Sequence, residues 1–191
     1  MNNTAHRSAD ALAVFLAGLQ AGMIGSCCML AWLGLSAIGQ GRSFWTAENL
    51  MASVFHGDAA LRRGFSFSTL SGMALYLPIY SLLGAGFALV VHNRFTGLGT
   101  VLTGLLFSLG WYWLWFRALG QAAMPLIWLL HPENATVIGH VIFGAAIARF
   151  PAYLPKPDQP AVEAPPVEQP VPAPPAPEAT AESGPPDPNL S

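Results

Sequence analysis

Residues 11–38, with the sequence ALAVFLAGLQAGMIGSCCMLAWLGLSAI, form an apolar stretch with no charged residue and only Gln20 as a strongly polar side chain. About 20 consecutive apolar residues are enough for a helix to cross the ~30 Å hydrocarbon core of a bilayer. A cleavable signal peptide has an apolar region of only ~7–15 residues, so the length of this stretch favours a membrane span over a leader. The stretch therefore predicts an integral membrane protein.

The adjacent Cys27 and Cys28 lie inside this apolar stretch. Neighbouring cysteines give neither a disulfide framework nor the spacing of a metal site, so we expect both to pack inside a helix as small apolar residues. Residues 24–27 (Ile-Gly-Ser-Cys) loosely fit a bacterial lipoprotein cleavage box. The residues that follow stay apolar, whereas a lipid-anchored chain should turn polar, and an uninterrupted span is the favoured interpretation.

Three further apolar segments follow, at residues 70–91, 97–116 and 132–150. Pro78 lies inside the second and predicts a kink that neighbouring helices accommodate. Across the whole chain 53% of residues are hydrophobic and 9% are charged, which is too few charges to cover a water-soluble surface. We therefore predict an all-α fold in which residues 1–154 form a four-span transmembrane helical bundle.

The connection between the first two spans, residues 39–69, is only half apolar. Its apolar residues recur at helical spacing and precede a break at Gly57. This stripe consists of Leu50, Met51, Val54 and Phe55. We expect an interfacial helix on the bilayer surface, with a re-entrant segment under protein cover as the alternative. A second short apolar segment, residues 118–130, carries Pro125 and indicates a broken interfacial piece.

Residues 155–191 contain thirteen prolines interleaved with alanine, valine and glutamate. Such a stretch cannot bury a core and populates extended polyproline II, so we predict a disordered, solvated acidic tail. A partner that binds proline motifs is the alternative use of this tail. No basic cluster exceeds the pair Arg62-Arg63, which excludes nucleic acid as a partner.

Tryptophan is typical of membrane interfaces, and an alternating four-span topology places all six tryptophans on one side. The predicted interface anchors are Trp45, Trp111, Trp113, Trp115 and Trp128. The two faces carry equal numbers of basic residues at the span ends. Because Arg7, Arg94 and Arg149 lie directly at span ends, we predict that both termini are cytoplasmic.

His140 lies about eight residues into the last span, near mid-membrane at 1.5 Å per residue. An ionisable group at this depth is a functional hypothesis. The favoured interpretation is a neutral imidazole hydrogen-bonded across a helix interface. The alternatives are an axial ligand to haem or a pigment, and a proton-relay group. Because no second mid-span histidine completes a haem site, we predict no cofactor.

Two other patterns suggest chemistry. His56 with Asp58, and His131 with Glu133, are pairs of metal-binding residue types. A spacing of two places each pair on different helical faces, so we predict no metal site. The aromatic run at residues 111–115 could stack on a quinone or pigment, although interfacial anchoring is the favoured interpretation.

Small residues recur four apart in the spans and predict close helix packing, within the bundle or between copies of the chain. These positions are Gly18, Gly22, Gly25, Gly84, Ala88, Gly139, Gly144 and Ala148.

The segment Gly139-His140-Val141-Ile142-Phe143-Gly144 resembles a pattern in small uncharacterised bacterial inner-membrane proteins of about four helices. In those proteins too, a Gly-His pair opens the last span and a glycine follows. The resemblance covers the last span and the general layout. It implies a bacterial inner membrane, and the group has no assigned activity to transfer.

These observations predict a non-enzymatic membrane protein, because no nucleotide-binding, hydrolase or metalloprotease motif is present. We expect a structural or accessory subunit, or a scaffold, whose partners are membrane lipid and other membrane subunits. The first alternative is a haem-, quinone- or pigment-binding redox subunit that uses His140. The second is a small transporter or channel, which lacks support because the only charged side chains in the predicted spans, Glu133 and Arg149, lie at the ends of the last one.

Overall fold

The computed structural model of the chain describes residues 2–58, 64–119 and 132–155, and within these residues every regular element is helical. The all-α class is thus confirmed for this part of the chain. The helices are α1 Asn2–Gly39, α2 Thr46–Met51, α3 Ser53–His56, α4 Phe67–Val91, α5 Leu98–Trp113 and α6 Glu133–Ile147. A π-helical turn, Leu114–Leu119, extends α5, and a 3-10 turn, Phe150–Tyr153, follows α6. Trp128, the broken segment, His131 and the acidic tail lie outside the described residues.

Three helical stretches are long and apolar enough to cross a membrane: Asp10–Gly39, Phe67–Val91 and Leu98–Phe116. They coincide with the first three predicted spans, and α4 continues through Pro78 as one helix. The fourth predicted span is shorter than expected, because α6 has 15 residues and ends at Ile147. At 1.5 Å per residue α6 is about 22 Å long, less than the thickness of the hydrocarbon core.

Glycines bring α1 and α4 into backbone contact. A Cβ atom added at Gly84 would lie 2.6 Å from both the carbonyl oxygen of Gly18 and the Cα of Gly22. One added at Gly18 would lie 2.5 Å from the Cβ of Ala88. The two small-residue stripes identified in the sequence therefore face each other, and no side chain fits between them.

A second glycine contact joins α5 to α6. A Cβ atom on Gly104 would lie 2.6 Å from the carbonyl oxygen of Gly144 and 3.2 Å from the Cβ of Ala148. The structure also places Gly25 against Phe143 and Gly139 against Met29. Helix α1 thus contacts both α4 and α6, whereas α5 packs chiefly on α6.

The connection between α1 and α4 divides into two short helices rather than one. Helix α2 is buried from Ala47 to Met51 and lies against α4, where Gly72 leaves room for the backbone of Glu48. Helix α3 begins after Ala52 and exposes Val54 and Phe55. The predicted apolar stripe is therefore split, with its first half facing protein and its second half facing outward.

Polar contacts hold α2 in this buried position. Asn49 Nδ2 donates to the carbonyl oxygen of Gly64, 3.1 Å away, and Thr69 Oγ1 donates to Asn49 Oδ1 at 2.7 Å. Thr69 Oγ1 also accepts a hydrogen bond from the backbone N–H of Ser66, which satisfies one of the free donors at the start of α4. A side chain of α2 thereby ties the loop to the first turn of α4.

The expectation that Cys27 and Cys28 pack inside the protein is wrong, because both thiols lie on the exposed side of α1. The packed side of α1 is formed instead by Gly18, Gly22 and Gly25. Helical spacing places the two cysteines away from that stripe.

Candidate functional site

A cavity of about 280 Å³ lies at one end of the bundle, where the C-terminal halves of α1 and α5 meet the N-terminal halves of α4 and α6. Its aliphatic and sulfur-containing wall is formed by Met29, Leu33, Ala47, Leu50, Met51 and Ile79. Its aromatic wall is formed by Tyr76, Tyr80, Trp111, Trp115 and Phe116, and Thr136 and His140 complete the described lining. The volume is near the lower end of that of small-molecule sites, about 300 Å³.

His140 is 1% exposed and uses both ring nitrogens. Nδ1 lies 2.9 Å from the carbonyl oxygen of Thr136, one helical turn earlier. A carbonyl oxygen only accepts, so Nδ1 carries a proton. Burial disfavours a second proton and the charge it would bring, so Nε2 is left as an acceptor. The hydroxyl of Tyr80 lies 3.1 Å from Nε2 and donates to it. His140 is therefore a neutral imidazole that joins α4 to α6.

The backbone around His140 is held from α5. Ser108 Oγ, which is fully buried, donates to the carbonyl oxygen of His140 at 2.6 Å. The ring of Tyr112 lies 5.3 Å from the imidazole, and its hydroxyl donates to Glu133 Oε1 at 3.2 Å. His140, which belongs to α6, thus contacts both α4 and α5. Haem ligation through Nε2 would have to displace the Tyr80 hydroxyl.

Tyr76 stacks on Tyr80 with a centroid separation of 4.3 Å and an interplanar angle of 18°. Tyr76 is 4% exposed, and its hydroxyl has no hydrogen-bond partner among the described residues. A buried hydroxyl without a hydrogen-bond partner costs about 1–3 kcal/mol, and the Tyr76 hydroxyl carries this cost.

Glu48 is the other buried polar group without a complete set of partners. The residue is 1% exposed, and Oε2 has no hydrogen-bond partner in the described part of the chain. Burial raises the pKa of Glu48 to about 7, and a hydrogen bond from its own backbone opposes part of this rise. The carboxyl is near enough to Tyr76 to interact with it electrostatically. Helix α2 lies outside the three membrane-length helices.

The raised pKa of Glu48 predicts a pH-dependent stability. The folded protein keeps the Glu48 proton at pH values where the unfolded chain, with its ordinary value of 4.5, has lost it. The contribution of protonated Glu48 to the free energy of unfolding is therefore fully present below pH 4.5, and it is lost as the pH rises through 7. Between pH 5 and pH 7 we expect the free energy of unfolding to fall by about 2 kcal/mol.

Denaturation of the detergent-solubilised chain at both pH values checks this prediction. Glu48→Gln should flatten the pH dependence, because a neutral amide occupies the same volume without titrating. Asp58→Asn, which removes an exposed acid from the same connection, should keep the wild-type slope. If the Glu48→Gln variant loses as much stability between pH 5 and pH 7 as the wild type, the Glu48 carboxyl is not the cause of the pH dependence.

The predicted tryptophan anchors occupy different surroundings. Trp111 and Trp115 stack on each other, with centroids 6.1 Å apart and planes 14° apart, and both line the cavity. Trp113, between them in sequence, is 63% exposed. Trp45 packs edge-to-face on Phe44 and Phe65. A helix places residues 111 and 115 on one face and residue 113 on another.

Trp32 ties the end of α1 to the start of α6. Its indole N–H donates to the carbonyl oxygen of Ala135 at 2.9 Å, and the side chain is partly buried. This contact lies beside the cavity, because Thr136 is the next residue of α6.

Within the described residues, no group of three or more histidine, cysteine, aspartate or glutamate side chains is arranged to hold a metal ion. His56 Nε2 instead lies 3.1 Å from Ser71 Oγ, and Glu133 accepts from Tyr112.

The sequence pattern identified His140 but not four other residues in or near the site: Tyr76, Tyr80, Ser108 and Glu48. Two signals point to some of them. Gly104 and Ser108 form a small-residue pair four apart, like the stripes recognised in α1 and α4. Glu48 is an isolated acid before an apolar stretch. Tyr76 and Tyr80 carry no such signal, because tyrosine is ordinary in a membrane helix.

Comparison of the chain with family models, with curated proteins and with solved structures gave no significant match.

Proposed function

We propose that this chain is an integral membrane protein that binds a small lipophilic molecule in the cavity between α1, α2, α4, α5 and α6. The observation that carries the proposal is the lining of the cavity, which is apolar and aromatic on all described sides apart from a few polar groups. Ligand sites typically combine such a lining with a small number of placed polar groups. The parallel pair Trp111 and Trp115 offers flat surfaces suited to a ring.

The proposed membrane arrangement has four spans, with α6 as the fourth, in a bacterial inner membrane with cytoplasmic termini. The C-terminal halves of α1 and α5 meet the N-terminal halves of α4 and α6 at the cavity. Four helices that run alternately up and down bring their ends together in this way, which supports this count. Helix α6 is short, and the 3-10 turn at Phe150–Tyr153 adds length at its end. In this arrangement the cavity lies toward one membrane face, within reach of molecules dissolved in the bilayer.

An accessory role in a membrane complex is the second candidate. It is supported by the outward face of α5, which exposes large apolar side chains that lipid or a neighbouring subunit would cover. This face consists of Leu98, Leu102, Leu106 and Trp113. The two roles are compatible, because the cavity and this face are lined by different residues. A haem-binding role is less favoured, because the Tyr80 hydroxyl already bonds His140 Nε2.

A fluorescence titration tests the ligand-binding proposal. The full chain is reconstituted in lipid nanodiscs and titrated with a brominated alkylbenzene, whose bromine quenches nearby tryptophans. We expect saturable quenching, because Trp111 and Trp115 border the cavity. Ala47→Phe should abolish the saturable phase, since Ala47 is 4% exposed and its new ring would occupy the cavity.

Ala31→Phe is the matched control, because Ala31 lies on the exposed side of α1. It should bind the probe like the wild type. The proposal fails if quenching in the wild type rises only linearly with probe, or if Ala47→Phe and Ala31→Phe titrate alike.

A further inference from the structure

We infer, on the basis of the proposed ligand-binding function, that helix α2 is a movable wall of the cavity. It leaves its place against α4 when the Glu48 carboxyl loses its proton, and ligand then enters or leaves. The closed form has α2 against α4, as in the structure, and the open form has α2 displaced. Three features support this regulation: the position of α2, the surroundings of the Glu48 carboxyl, and the glycines on either side of α2 and α3.

Helix α2 contributes part of the cavity wall. Its residues Ala47, Leu50 and Met51 line the cavity, and their i, i+3, i+4 spacing places them on one helix face. Glu48 is not among the described lining residues, and its backbone lies directly against Gly72 of α4. A ligand in the cavity therefore need not touch the Glu48 carboxyl. Any movement that takes Glu48 away from α4 also removes these three side chains from the wall.

The Glu48 carboxyl suits the closed form only when it is neutral. The residue is 1% exposed, and its Oε2 has no hydrogen-bond partner among the described residues. A carboxylate in such a place loses its hydration and gains no partner in return, which strongly disfavours the ionised form. Burial raises the pKa of Glu48 to about 7, so this change of charge occurs near neutral pH.

On the described elements around α2, no group pairs with Glu48 Oε2. Tyr76 of α4 is near enough to interact with Glu48 electrostatically, but a tyrosine hydroxyl is neutral near pH 7. His56 of α3 places its Nε2 3.1 Å from Ser71 Oγ. The C-terminal half of α1 contains no charged residue, and Arg42, in the turn that follows, forms no hydrogen bond with Glu48 Oε2. Loss of the proton therefore leaves a buried negative charge that moves toward water.

Glycines bracket the segment that would move. Gly41 precedes α2 and Gly57 follows α3, with φ angles of +69° and +53° in the left-handed region. A Cβ atom at either position would meet nothing within 4 Å, so no neighbouring helix packs against these two backbone positions. Positions of this kind can absorb the backbone rotation of a hinge. The segment between them can change direction while α1 and α4 stay packed through Gly18 and Gly84.

The ratio of open to closed form follows from the pKa of Glu48 in each. In the open form the carboxyl is hydrated and has its ordinary value of 4.5, whereas in the closed form the pKa is about 7. The closed form is therefore fully favoured below pH 4.5, and this advantage is lost as the pH rises through 7. Between pH 5 and pH 7 the ratio of open to closed form should rise about 30-fold.

Hydrogen exchange in the full chain, reconstituted in nanodiscs without ligand, measures this ratio. Each amide is expressed as a protection factor, the exchange rate of an unstructured peptide at the same pH divided by the observed rate, which removes the intrinsic effect of pH. The protection factors of Thr46–Met51 should fall about 30-fold between pH 5 and pH 7. Residues 84–91 of α4 should be more strongly protected at both pH values, because local opening of α2 leaves them packed.

Two variants assign the effect to Glu48. Glu48→Gln should remove the fall in protection of α2, because a neutral amide of the same shape does not ionise. His56→Gln should keep the fall. This control is needed because histidine as a residue type changes charge near neutral pH and His56 lies on the adjoining helix α3.

The release of ligand should follow the same opening. Nanodiscs loaded with the brominated alkylbenzene are mixed with an excess of empty lipid vesicles, and the recovery of tryptophan fluorescence gives the dissociation rate. The rate should be about 30-fold higher at pH 7 than at pH 5 in the wild type, because release then depends on the open form. In Glu48→Gln it should be the same at both pH values.

The outcomes separate this regulation from the ligand-binding function. Protection of α2 that does not change with pH, or that equals the protection of residues 84–91, would overturn the inference, because α2 would not open by itself. A probe that binds but dissociates at a pH-independent rate would also overturn it and would leave the ligand site intact. A probe that does not bind at either pH would instead remove the ligand-binding function, and the regulation of the site with it.

Discussion

Replacement of Gly84 with leucine should lower the free energy of unfolding by at least about 3 kcal/mol, the upper part of the range for overpacked interiors. The Cβ alone would lie 2.6 Å from the backbone of α1 at Gly18 and Gly22. Backbone atoms cannot rotate away as a flexible side chain can, so α1 and α4 must separate. Separation would lose the long contact between the two helices.

Gly86→Leu is the matched control, because a Cβ atom at Gly86 meets nothing within 4 Å. It is the same substitution two residues along the same helix and should change stability by less than about 1 kcal/mol. Unfolding of the reconstituted chain by increasing detergent or denaturant measures both variants. Equal loss in the two variants would mean that the glycine contact does not hold α1 and α4 together.

Replacement of His140 with leucine should cost about 3 kcal/mol, because a buried network then loses its central member. Tyr80 is only 5% exposed, and its hydroxyl would lose its acceptor. Leucine has a similar volume, so the loss reflects mainly hydrogen bonding. Thermal unfolding of the variant in detergent gives the value.

A double-mutant cycle with Tyr80→Phe separates the hydrogen bond from packing. Once the Tyr80 hydroxyl is absent, the leucine variant no longer leaves a polar group unsatisfied. The double variant should therefore cost at least about 1 kcal/mol less than the sum of the single variants. Strict additivity would show that the two side chains do not interact as the geometry indicates.

The parts of the fold that were predictable from the sequence are those with local signals. An apolar stretch long enough to cross a bilayer is visible without tertiary information, and three such helices occur where they were expected. Glycines four apart likewise predict a helix face that a neighbouring helix can approach closely. The last span was expected to reach residue 150, whereas α6 ends at Ile147 and a separate 3-10 turn begins at Phe150.

The candidate site depended on contacts that no local pattern encodes. His140 was recognisable because an imidazole in an apolar helix is unusual, but its partner Tyr80 lies sixty positions earlier in the chain. Glu48 appeared to belong to a polar connection, and only the packing of α2 against α4 shows that its carboxyl is buried. Which tryptophans line the cavity and which face outward depends on the orientation of α5, and this orientation is not encoded locally.

The most direct test of the proposed site is the location of bromine in a crystal of the full chain grown from lipid and soaked with the brominated alkylbenzene. We expect an anomalous bromine signal inside the cavity, which is lined by Trp111, Trp115, Met29 and Leu50. A bromine signal confined to the outward face of α5, beside Leu106 and Trp113, would contradict it.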